Sequence, residues 1–547
     1  MIDERDSFVR GAWVISTLTL VSRLLGVARD VLCAAFFGAG IVWDAFSFAF
    51  RIPNLFRRLF GEGALSAAFV PELSTYLELR SKQESEALAG RVAGALMAVL
   101  LAAVVMGEAI VLGATRVAGL SPRWHLALSL TAVLLPYTVL VCLTAFAGAT
   151  LHSLRHFAAP ALAPVVLNVL WILGVGAVAP LVTASPQGRI YTVASFVLLA
   201  GIVQLLIQVV ALHRKGFRWR PIFQLLHPDV RRVASAMAPV ALGLAAVQLN
   251  VLFDGVIAIS LAHPEGKETF RLLGHVIPYP MAVGANSVLY YANRLMQFPL
   301  GVFGIALATA AFPALSAQAA RQDWDAFSRS ILRGLRLVLF IGIPAGAGLI
   351  LLRRPLVELL FERGAFTPSM SARAARALAF YATAVWAYCA LHVLTRAFYS
   401  MKRPGVPARV AGATVVLNLG LNLTLVWPLR EAGLALATAI CALLQVVALY
   451  ALLHRRVDLG NGKGLVTTAA RTLAATALMG CAAWVTLHAL PGAEPGVLLK
   501  VARAVVPACA GVLAYGVGAA ILRMEELGLV LRALQRKNPG KQRGDDL

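Results

Sequence analysis

The sequence predicts an all-α integral membrane protein with fourteen transmembrane helices, arranged as two pseudo-repeated six-helix lobes followed by two C-terminal helices. Composition is the first indication, because 59% of the 547 residues are hydrophobic, 14% are charged and the mean hydropathy is +0.78. A soluble domain carries far more charge. The second indication is the number of runs that reach the roughly 20 apolar residues needed to cross a bilayer. Their approximate centres are residues 24, 50, 102, 138, 172, 202, 248, 298, 341, 386, 418, 442, 478 and 511.

Short stretches that recur at a nearly constant offset are the third indication. The segment VVLN occurs at 165–168 and again at 415–418, and each copy follows a similarly spaced serine and proline, with offsets of 247 to 250 residues. FVPELS at 69–74 is matched by AFPALS at 311–316, 242 residues later. This order predicts a duplicated six-helix unit. Because six is even, both copies share one orientation, as in transporters that bind substrate near the midplane between two rocking lobes.

The repeat predicts four parts of the chain. They are an N-lobe of helices 1–6 at 1–215, a C-lobe of helices 7–12 at 216–457, helices 13 and 14 at 458–523, and a basic cytoplasmic tail at 524–547. The outside loop at about 262–285 is unusually long, and the sequence leaves its role open.

The net charge of +23 predicts an orientation. With the N-terminus inside, about 29 Lys and Arg fall in cytoplasmic segments and about 12 in outside segments, and the positive-inside rule then places both termini in the cytoplasm. A basic inner face suits anionic bilayer lipids. Nucleic-acid binding is not expected, because no basic stretch is interleaved with aromatic residues. The first residues, MIDERDSFVR, lack the features of a cleaved signal, so we expect helix 1 to stay as an anchor.

Arginines lie inside three predicted spans. Helix 1 contains SRLLGVARD and is expected to enter the membrane near Gly11. At 1.5 Å per residue, Arg23 then lies roughly 18 Å and Arg29 roughly 27 Å from that point. Helix 2 carries Arg57 among several polar residues, and helix 8 carries Arg294 near mid-depth. Each such charge costs about 2.5–3.5 kcal/mol on insertion scales, so a charge inside a span indicates a functional site.

Local pairing explains some of these charges. Arg29 is able to pair with Asp30 or Asp44, and Arg58 with Glu62 at i, i+4. Arg51 is able to stabilise a kink near Pro53. The sequence around the other three arginines contains too few carboxylates to neutralise all of them, and guanidinium groups fork onto phosphate oxygens. We therefore expect a phosphate or pyrophosphate ligand in a central cavity, bound by Arg23, Arg57 and Arg294.

A second set of polar residues is nearly uncharged. It comprises Asp254 in helix 7, Asn418 and Asn422 at i, i+4 in helix 11, and Thr438 in helix 12. Such oxygen ligands suit sodium, although interhelical hydrogen bonds explain them equally well. His152 and His156 have ligand spacing but lie at a loop without further partners, and no CxxC pair exists, so we expect no other metal site and no disulfide.

The longer motifs resemble a known family over nearly the whole chain. SRLLGVARD, FFGAG, DAF, RIPNLFRRLFGEGALSAAFVP and YYANRLMQFPLGVFGIALATAAFP are similar, in this order and spacing, to the MurJ (MviN) lipid II flippases of the MOP transporter superfamily. The resemblance implies that helices 13 and 14 form a groove for a polyprenyl tail. It also implies transport of undecaprenyl-pyrophosphate-linked peptidoglycan precursor from the inner to the outer leaflet of the bacterial plasma membrane.

The resemblance assigns roles to particular residues. The family's essential cavity arginines fall on Arg23, Arg57 and Arg294, and its sodium site falls on the four polar residues of helices 7, 11 and 12. This chain departs from the family pattern in two places. Asn293 and Gln297 stand where many members have acidic residues, and Asn422 stands where sodium-binding members have Asp. The resemblance therefore implies a cavity that is more positive than in those members, and it gives weaker support for a sodium site. Further motif positions are Ser22, Arg29, Asp44, Asn54 and Glu62.

The function these observations predict is a non-enzymatic flippase that works by alternating access; no cofactor is expected, and sodium is the one candidate ion. No GxxxxGK[ST] motif is present, so we expect the membrane potential or a cation gradient to supply energy. Expected partners are lipid II, bilayer lipids and cell-wall synthesis proteins. The alternatives are a flippase for another lipid-linked oligosaccharide and a transport-inactive cell-wall scaffold. A membrane enzyme would need clustered intramembrane carboxylates, and the only Asp-Asp pair lies in the tail.

Overall fold

A computed structural model describes residues 2–117, 120–218, 220–263, 268–272, 275–460, 462–492 and 496–535. This part of the chain is helical apart from its loops and one β-hairpin, which confirms the all-α membrane class. The helices are α1 (Ile2–Phe37), α2 (Ile41–Phe56), α3 (Ala64–Leu79), α4 (Lys82–Thr115), α5 (Pro122–Leu134), α6 (Tyr137–Ser153), α7 (Ala158–Leu173), α8 (Ala179–Val182), α9 (Pro186–Arg214), α10 (Pro228–Ser260), α11 (Ala285–Pro299), α12 (Ile305–Ala320), α13 (Trp324–Leu351), α14 (Arg353–Leu360), α15 (Pro368–Ala382), α16 (Val385–Ser400), α17 (Gly405–Leu429), α18 (Glu431–His454), α19 (Lys463–Ala489), α20 (Val497–Ile521) and α21 (Glu525–Gln535).

Nine helices in the described ranges are long and apolar enough to cross a bilayer, and the number is eleven if the bent pairs α5–α6 and α15–α16 each form one span. Three of the fourteen predicted spans are missing from this set. They are α1, α2 with α3, and α11 with α12, which are the spans that carry the arginines. Two of them are interrupted, so that α2, α3 and α12 have 16 residues each and α11 has 15, fewer than a single spanning helix needs. The count of fourteen stays a prediction.

Two of these three spans contain a π-helical segment. Arg57–Gly63 joins α2 to α3, and Leu300–Gly304 joins α11 to α12. Each segment contains a Phe-Gly pair and is followed by the stretch that recurs in the repeat. A π-turn widens the helix locally and is common at functional sites. The duplication therefore reproduces a backbone irregularity as well as sequence.

The described chain forms two compact units. The first contains residues 1–290, 363–370 and 411–431, and the second contains 291–362, 371–410 and 432–547. The predicted division at 215, 457 and 523 rests on the sequence repeat and stays a prediction.

Aromatic rings form much of the core of the first unit. Trp43, Phe46 and Trp171 are each 1% exposed. Phe46 stacks on Trp43 with 5.3 Å between the ring centroids and meets Trp171 edge to face at 5.3 Å. Phe69 packs against Phe146 at 4.8 Å. These contacts join α2 to α7 and α3 to α6. The aromatic rings of α2 and α7 lie beside the polar C-terminal half of α1.

The core of the second unit lies between α13, α16 and α18. Phe327, Ile331, Leu394, Phe398 and Leu453 are fully buried there. Small residues let the helices approach closely, as is usual in membranes.

The long loop that precedes α11 forms a β-hairpin. Strand β1 (Thr269–Leu272) pairs antiparallel with β2 (His275–Pro278), and Phe270 packs on Tyr279 with 4.8 Å between the ring centroids. Arg123 at the start of α5 donates to the carbonyl oxygens of Ser260, at 3.2 Å, and of Ala262. The base of the hairpin is thereby tied to α5.

Substitution of Gly346 provides a test of how closely α13 packs against the backbone at Ala382. A Cβ at this position would lie 2.5 Å from the carbonyl oxygen of Ala382, whereas a Cβ at Gly348, two residues further along the same helix, would meet nothing within 4 Å. We expect Gly346→Ala to lower the free energy of unfolding by about 1–3 kcal/mol, because the backbones must separate. Thermal unfolding in detergent measures the loss, with Gly348→Ala as the control. Equal melting temperatures for the two variants would contradict this packing.

Candidate functional site

The C-terminal half of α1 carries a buried charged network. Arg29 and Asp30 are each 5% exposed, and the guanidinium donates from Nε and Nη2 to Asp30 Oδ1 at 3.1 and 2.8 Å. Nη1 of Arg29 donates to Asn168 Oδ1 at 3.0 Å, and Arg29 Cζ lies 4.5 Å from the centroid of the Trp171 ring. The Tyr290 hydroxyl donates to the same oxygen of Asp30 at 3.0 Å. The predicted pairing of Arg29 with Asp30 is confirmed.

Asn168 on α7 connects this ion pair to Ser22. Its Nδ2 donates to the carbonyl oxygen of Ser22 at 2.9 Å and to the Ser22 hydroxyl at 3.3 Å. Its Oδ1 accepts from Arg29, so a single amide fixes two points of α1 that lie two turns apart. A buried guanidinium is costly unless its donors are satisfied. Asn168 therefore stabilises both the charge and the position of α1.

Asp44 binds the N-terminus of α11. One carboxylate oxygen accepts from the Ser287 backbone N–H at 2.7 Å and from the Ser287 hydroxyl at 2.5 Å, and the other accepts from the Gly284 N–H at 3.0 Å. Asn286 donates from Nδ2 to the Asp44 carbonyl oxygen at 3.0 Å. A carboxylate at a helix N-terminus satisfies the first N–H groups and is favoured by the helix dipole. Asp44 is 7% exposed, so solvent screens this contact little.

Glycine is required where α11 begins. Gly284 has φ +85, and a Cβ on it would lie 1.8 Å from the carbonyl oxygen of Ala39. This close approach brings the start of α11 against the start of α2 and makes the contacts of Asp44 available.

Two arginines of helix 2 are held in different ways. Arg57 donates from Nε and Nη2 to Asn54 Oδ1 at 3.0 and 2.8 Å, and its side chain is half-buried. Arg51 donates from Nη1 to the carbonyl oxygen of Val251 on α10 at 3.1 Å. A Cβ on Gly255 would lie 2.3 Å from that same nitrogen, so Gly255 provides the space in which Arg51 lies.

The remaining predicted ligands differ in exposure. Arg23 on α1 is exposed, and Arg294 on α11, in the second unit, is half-buried. Gln297 donates to Asn293 one turn away on α11. The side chain of Glu62 lies outside the described residues, so its predicted pairing with Arg58 stays a prediction.

The structure brings three of the four residues of the second polar set together. Asn422 donates from Nδ2 to Asp254 Oδ1 at 2.6 Å and to Asn418 Oδ1 at 2.9 Å. Asn418 and Asn422 are 1% and 0% exposed. Thr438 lies in the second unit, where its hydroxyl donates to the carbonyl oxygen of Leu434 at 3.0 Å. Within the described residues, no group of three His, Cys, Asp or Glu side chains is arranged to hold a metal ion.

The repeat relates the two polar networks. Asn168 and Asn418 are the last residues of the two VVLN segments, and each is buried and hydrogen-bonded into a cluster that contains an aspartate. Sequence reasoning used VVLN only as evidence of duplication and did not select Asn168. An asparagine at the same place in both copies of a repeat, inside an apolar span, was the available signal. Tyr290 and Ser287 carried no comparable signal.

Solved structures show a shared fold. A multidrug resistance MATE family transporter of the MOP superfamily, in an inward-facing conformation, matches with a TM-score of 0.63 at 14% identity, covering 81% of this chain and 98% of that one. A structure described as lipid II flippase MurJ in an inward closed conformation matches with a TM-score of 0.72 at 22% identity, covering 93% and 98%. The chain has the fold that these two membrane proteins share.

The sequence comparisons identify the family. The family model for lipid II flippase MurJ matches residues 33–500. A probable lipid II flippase MurJ from Vibrio cholerae is 35% identical over 81% of this chain and 82% of its own length. The chain belongs to the lipid II flippase MurJ family, and it is a multi-pass protein of the bacterial inner membrane.

Asn168 provides a test of the α1 network. Asn168→Leu removes the acceptor of Arg29 Nη1 and the donor to Ser22 while keeping the same branching and number of side-chain heavy atoms, and it leaves buried polar groups unsatisfied. We expect the free energy of unfolding to fall by about 1–3 kcal/mol, measured by thermal unfolding in detergent. Thr424→Val is the control, because its hydroxyl donates only to the carbonyls of Gly420 and Leu421 in its own helix and the residue is exposed. A wild-type melting temperature for Asn168→Leu would refute the role of this amide.

Proposed function

We propose that this chain moves lipid II, the undecaprenyl-pyrophosphate-linked peptidoglycan precursor, from the inner to the outer leaflet of the bacterial plasma membrane by alternating access. Family membership over residues 33–500 is the observation that carries this proposal. The arginines on α1, α2, the π-segment and α11 support it, because a lipid-facing helix has no reason to retain them. The chain acts as a transporter and not as an enzyme.

Arg23, Arg57 and Arg294 are proposed to bind the pyrophosphate. Asn54 orients the guanidinium of Arg57, which donates to its amide oxygen from Nε and Nη2. Asp30 holds Arg29 in a buried ion pair at 2.8 Å. We therefore assign Arg29 to positioning, and we assign Arg57 to ligand binding together with Arg23 and Arg294, because guanidinium groups fork onto phosphate oxygens.

Asp44 and Asp30 are proposed to hold this conformation of the protein. Both carboxylates bind the first turns of α11, Asp44 through Gly284 and Ser287 and Asp30 through the Tyr290 hydroxyl. Any step of the transport cycle that moves α11 away from α1 and α2 must break these hydrogen bonds. Their number stabilises the packing of the first turns of α11 within the first unit.

The polar set around Asp254 is proposed to act as an interhelical pin. Asn422 donates from Nδ2 to the carboxylate of Asp254 and to the amide oxygen of Asn418, so two of the oxygen atoms that would ligate a cation already accept hydrogen bonds, whereas Asn422 Oδ1 is buried and accepts none from the described residues. A donor directed at two of these oxygens makes the set less suited to sodium than to interhelical hydrogen bonding. The membrane potential, acting on the charged substrate, is then the source of energy that we favour over sodium.

If Asp254, Asn418 and Asn422 form an interhelical pin, sodium should have little effect on the stability of the wild type. We expect replacement of KCl by NaCl to raise the melting temperature of the wild type by less than about 1 °C, because a ligand stabilises only what it binds. Asn422→Asp replaces the donor with a carboxylate and should make the melting temperature rise with sodium concentration. A saturable sodium effect in the wild type, absent in Asp254→Asn, would show that the set is a cation site.

The cavity arginines predict a loss of transport. We expect Arg23→Ala, Arg57→Ala and Arg294→Ala each to lower lipid II translocation in reconstituted vesicles about tenfold or more, since a charge-assisted hydrogen bond is worth about 1.5–3 kcal/mol. The variants should also fail to complement depletion of a lipid II flippase. Arg376→Ala is the control, because Arg376 is exposed on α15 and lies at none of the motif positions.

Two alternatives are separated by the same variants. A transport-inactive scaffold that recruits cell-wall synthesis proteins predicts normal growth with all three variants at wild-type abundance. A flippase for another lipid-linked oligosaccharide predicts that the wild type itself fails in complementation while translocating the other lipid. Both termini are proposed to lie in the cytoplasm, which reporter fusions at each end can test.

A further inference from the structure

The linker between α9 and α10 is fixed against the first part of α4. Arg218 donates its backbone N–H to Glu86 Oε1 at 2.8 Å, and Ile222 donates its N–H to the Gly90 carbonyl oxygen at 2.9 Å. A Cβ on Gly90 would lie 2.4 Å from the carbonyl oxygen of Arg220, and one on Gly94 would lie 2.3 Å from that of Ile222. The two glycines, four residues apart on one face of α4, form a groove that receives the linker backbone.

The other end of the linker is fixed by Asp229, in the first turn of α10. Its carboxylate accepts from Arg91 Nη1 at 2.9 Å and from the Tyr76 hydroxyl at 3.2 Å, and His227 Nδ1 lies 3.3 Å away. Arg232 adds a salt bridge to Glu72 at 2.8 Å. The segment between Ile222 and Asp229 is therefore held at both ends.

Three apolar side chains of this held segment are exposed. Phe223 is 62% exposed, Leu225 is 49% exposed and Leu226 is 86% exposed. Arginines lie on both sides of them, with Arg218 and Arg220 before and further arginines after, and all are exposed: Arg218, Arg220, Arg231 and Arg232. An exposed apolar segment between basic residues is the pattern of a membrane-interface anchor.

The position of the linker along α4 agrees with a membrane interface. From Gly94 to Thr115 the helix runs about 32 Å, at 1.5 Å per residue, which matches the roughly 30 Å of a hydrocarbon core. Lys82 to Gly94 adds about 18 Å on the other side. The linker thus crosses α4 where that helix enters the hydrocarbon, at the depth of the lipid headgroups.

We propose that the linker anchor, defined as residues 218 and 220–232, binds anionic phospholipid headgroups, with Phe223 and Leu226 inserted among the acyl chains and Arg218 and Arg220 on the phosphates. The carboxylates of Glu72 and Asp229 do not oppose this, because they are paired with Arg232 and Arg91. The ligand is a bilayer lipid and not the transported substrate, so the proposal stands apart from the assignment of the cavity arginines.

Hydrogen exchange in nanodiscs tests the linker anchor. The full chain is placed in discs of phosphatidylcholine alone and in discs with equal phosphatidylglycerol, and exchange is followed by mass spectrometry in a peptide that covers 220–228. We expect exchange there to slow at least fivefold in the anionic discs. The peptide around Arg455 and Arg456 is the internal control, because both arginines are exposed but the neighbouring apolar side chains Val457 and Leu459 are buried. Its exchange should change less than twofold.

Paired variants separate the contributions of charge and apolar surface. Arg218→Gln with Arg220→Gln should abolish the slowing, Phe223→Ser with Leu226→Ser should reduce it at least by half, and Arg455→Gln with Arg456→Gln should leave it intact. Unchanged exchange in the α4 peptides shows that the variants keep their fold. Equal exchange of the wild type in both discs would overturn the proposal. Equal protection by inorganic phosphate in phosphatidylcholine discs would overturn it as well, because it would reveal a free-anion site.

Discussion

The hydrogen-bonded ion pair of Arg29 and Asp30 is the constraint on which the polar interior of the first unit depends. A guanidinium in an apolar span is tolerated only when its donors are satisfied, and here a neighbouring carboxylate, an amide from α7 and the face of Trp171 provide this. Because Asn168 also binds Ser22, the same contacts fix the rotation of α1 about its axis. The direction in which Arg23 points follows from that rotation.

The duplication places a buried asparagine in a cluster with an aspartate at two equivalent positions, but the hydrogen bonds differ between the two copies. In the first copy, Asn168 accepts from an arginine that neutralises Asp30, and in the second, Asn418 accepts from Asn422, which also donates to Asp254. The first carboxylate accepts from a guanidinium and the second accepts from a side-chain amide.

Three arginines of the first unit are oriented by different acceptors. Arg57 donates to an amide, Arg51 to a backbone carbonyl and Arg29 to a carboxylate. Arg51 also depends on the space at Gly255, which makes it part of the packing between α2 and α10.

The sequence by itself determined the membrane class, the duplication and the family motifs, because hydropathy and repetition are properties of the chain that survive without coordinates. It also identified the arginines, since a charge in an apolar run is conspicuous. Only the tertiary structure decided the partner of each polar group: that Arg29 binds Asn168 from 139 residues away, that Asp44 caps α11, and that Asn422 directs its N–H at Asp254. Partners distant in the chain are chosen by how helices pack and rotate, and a residue pattern along one helix contains no information about the helix that it will face.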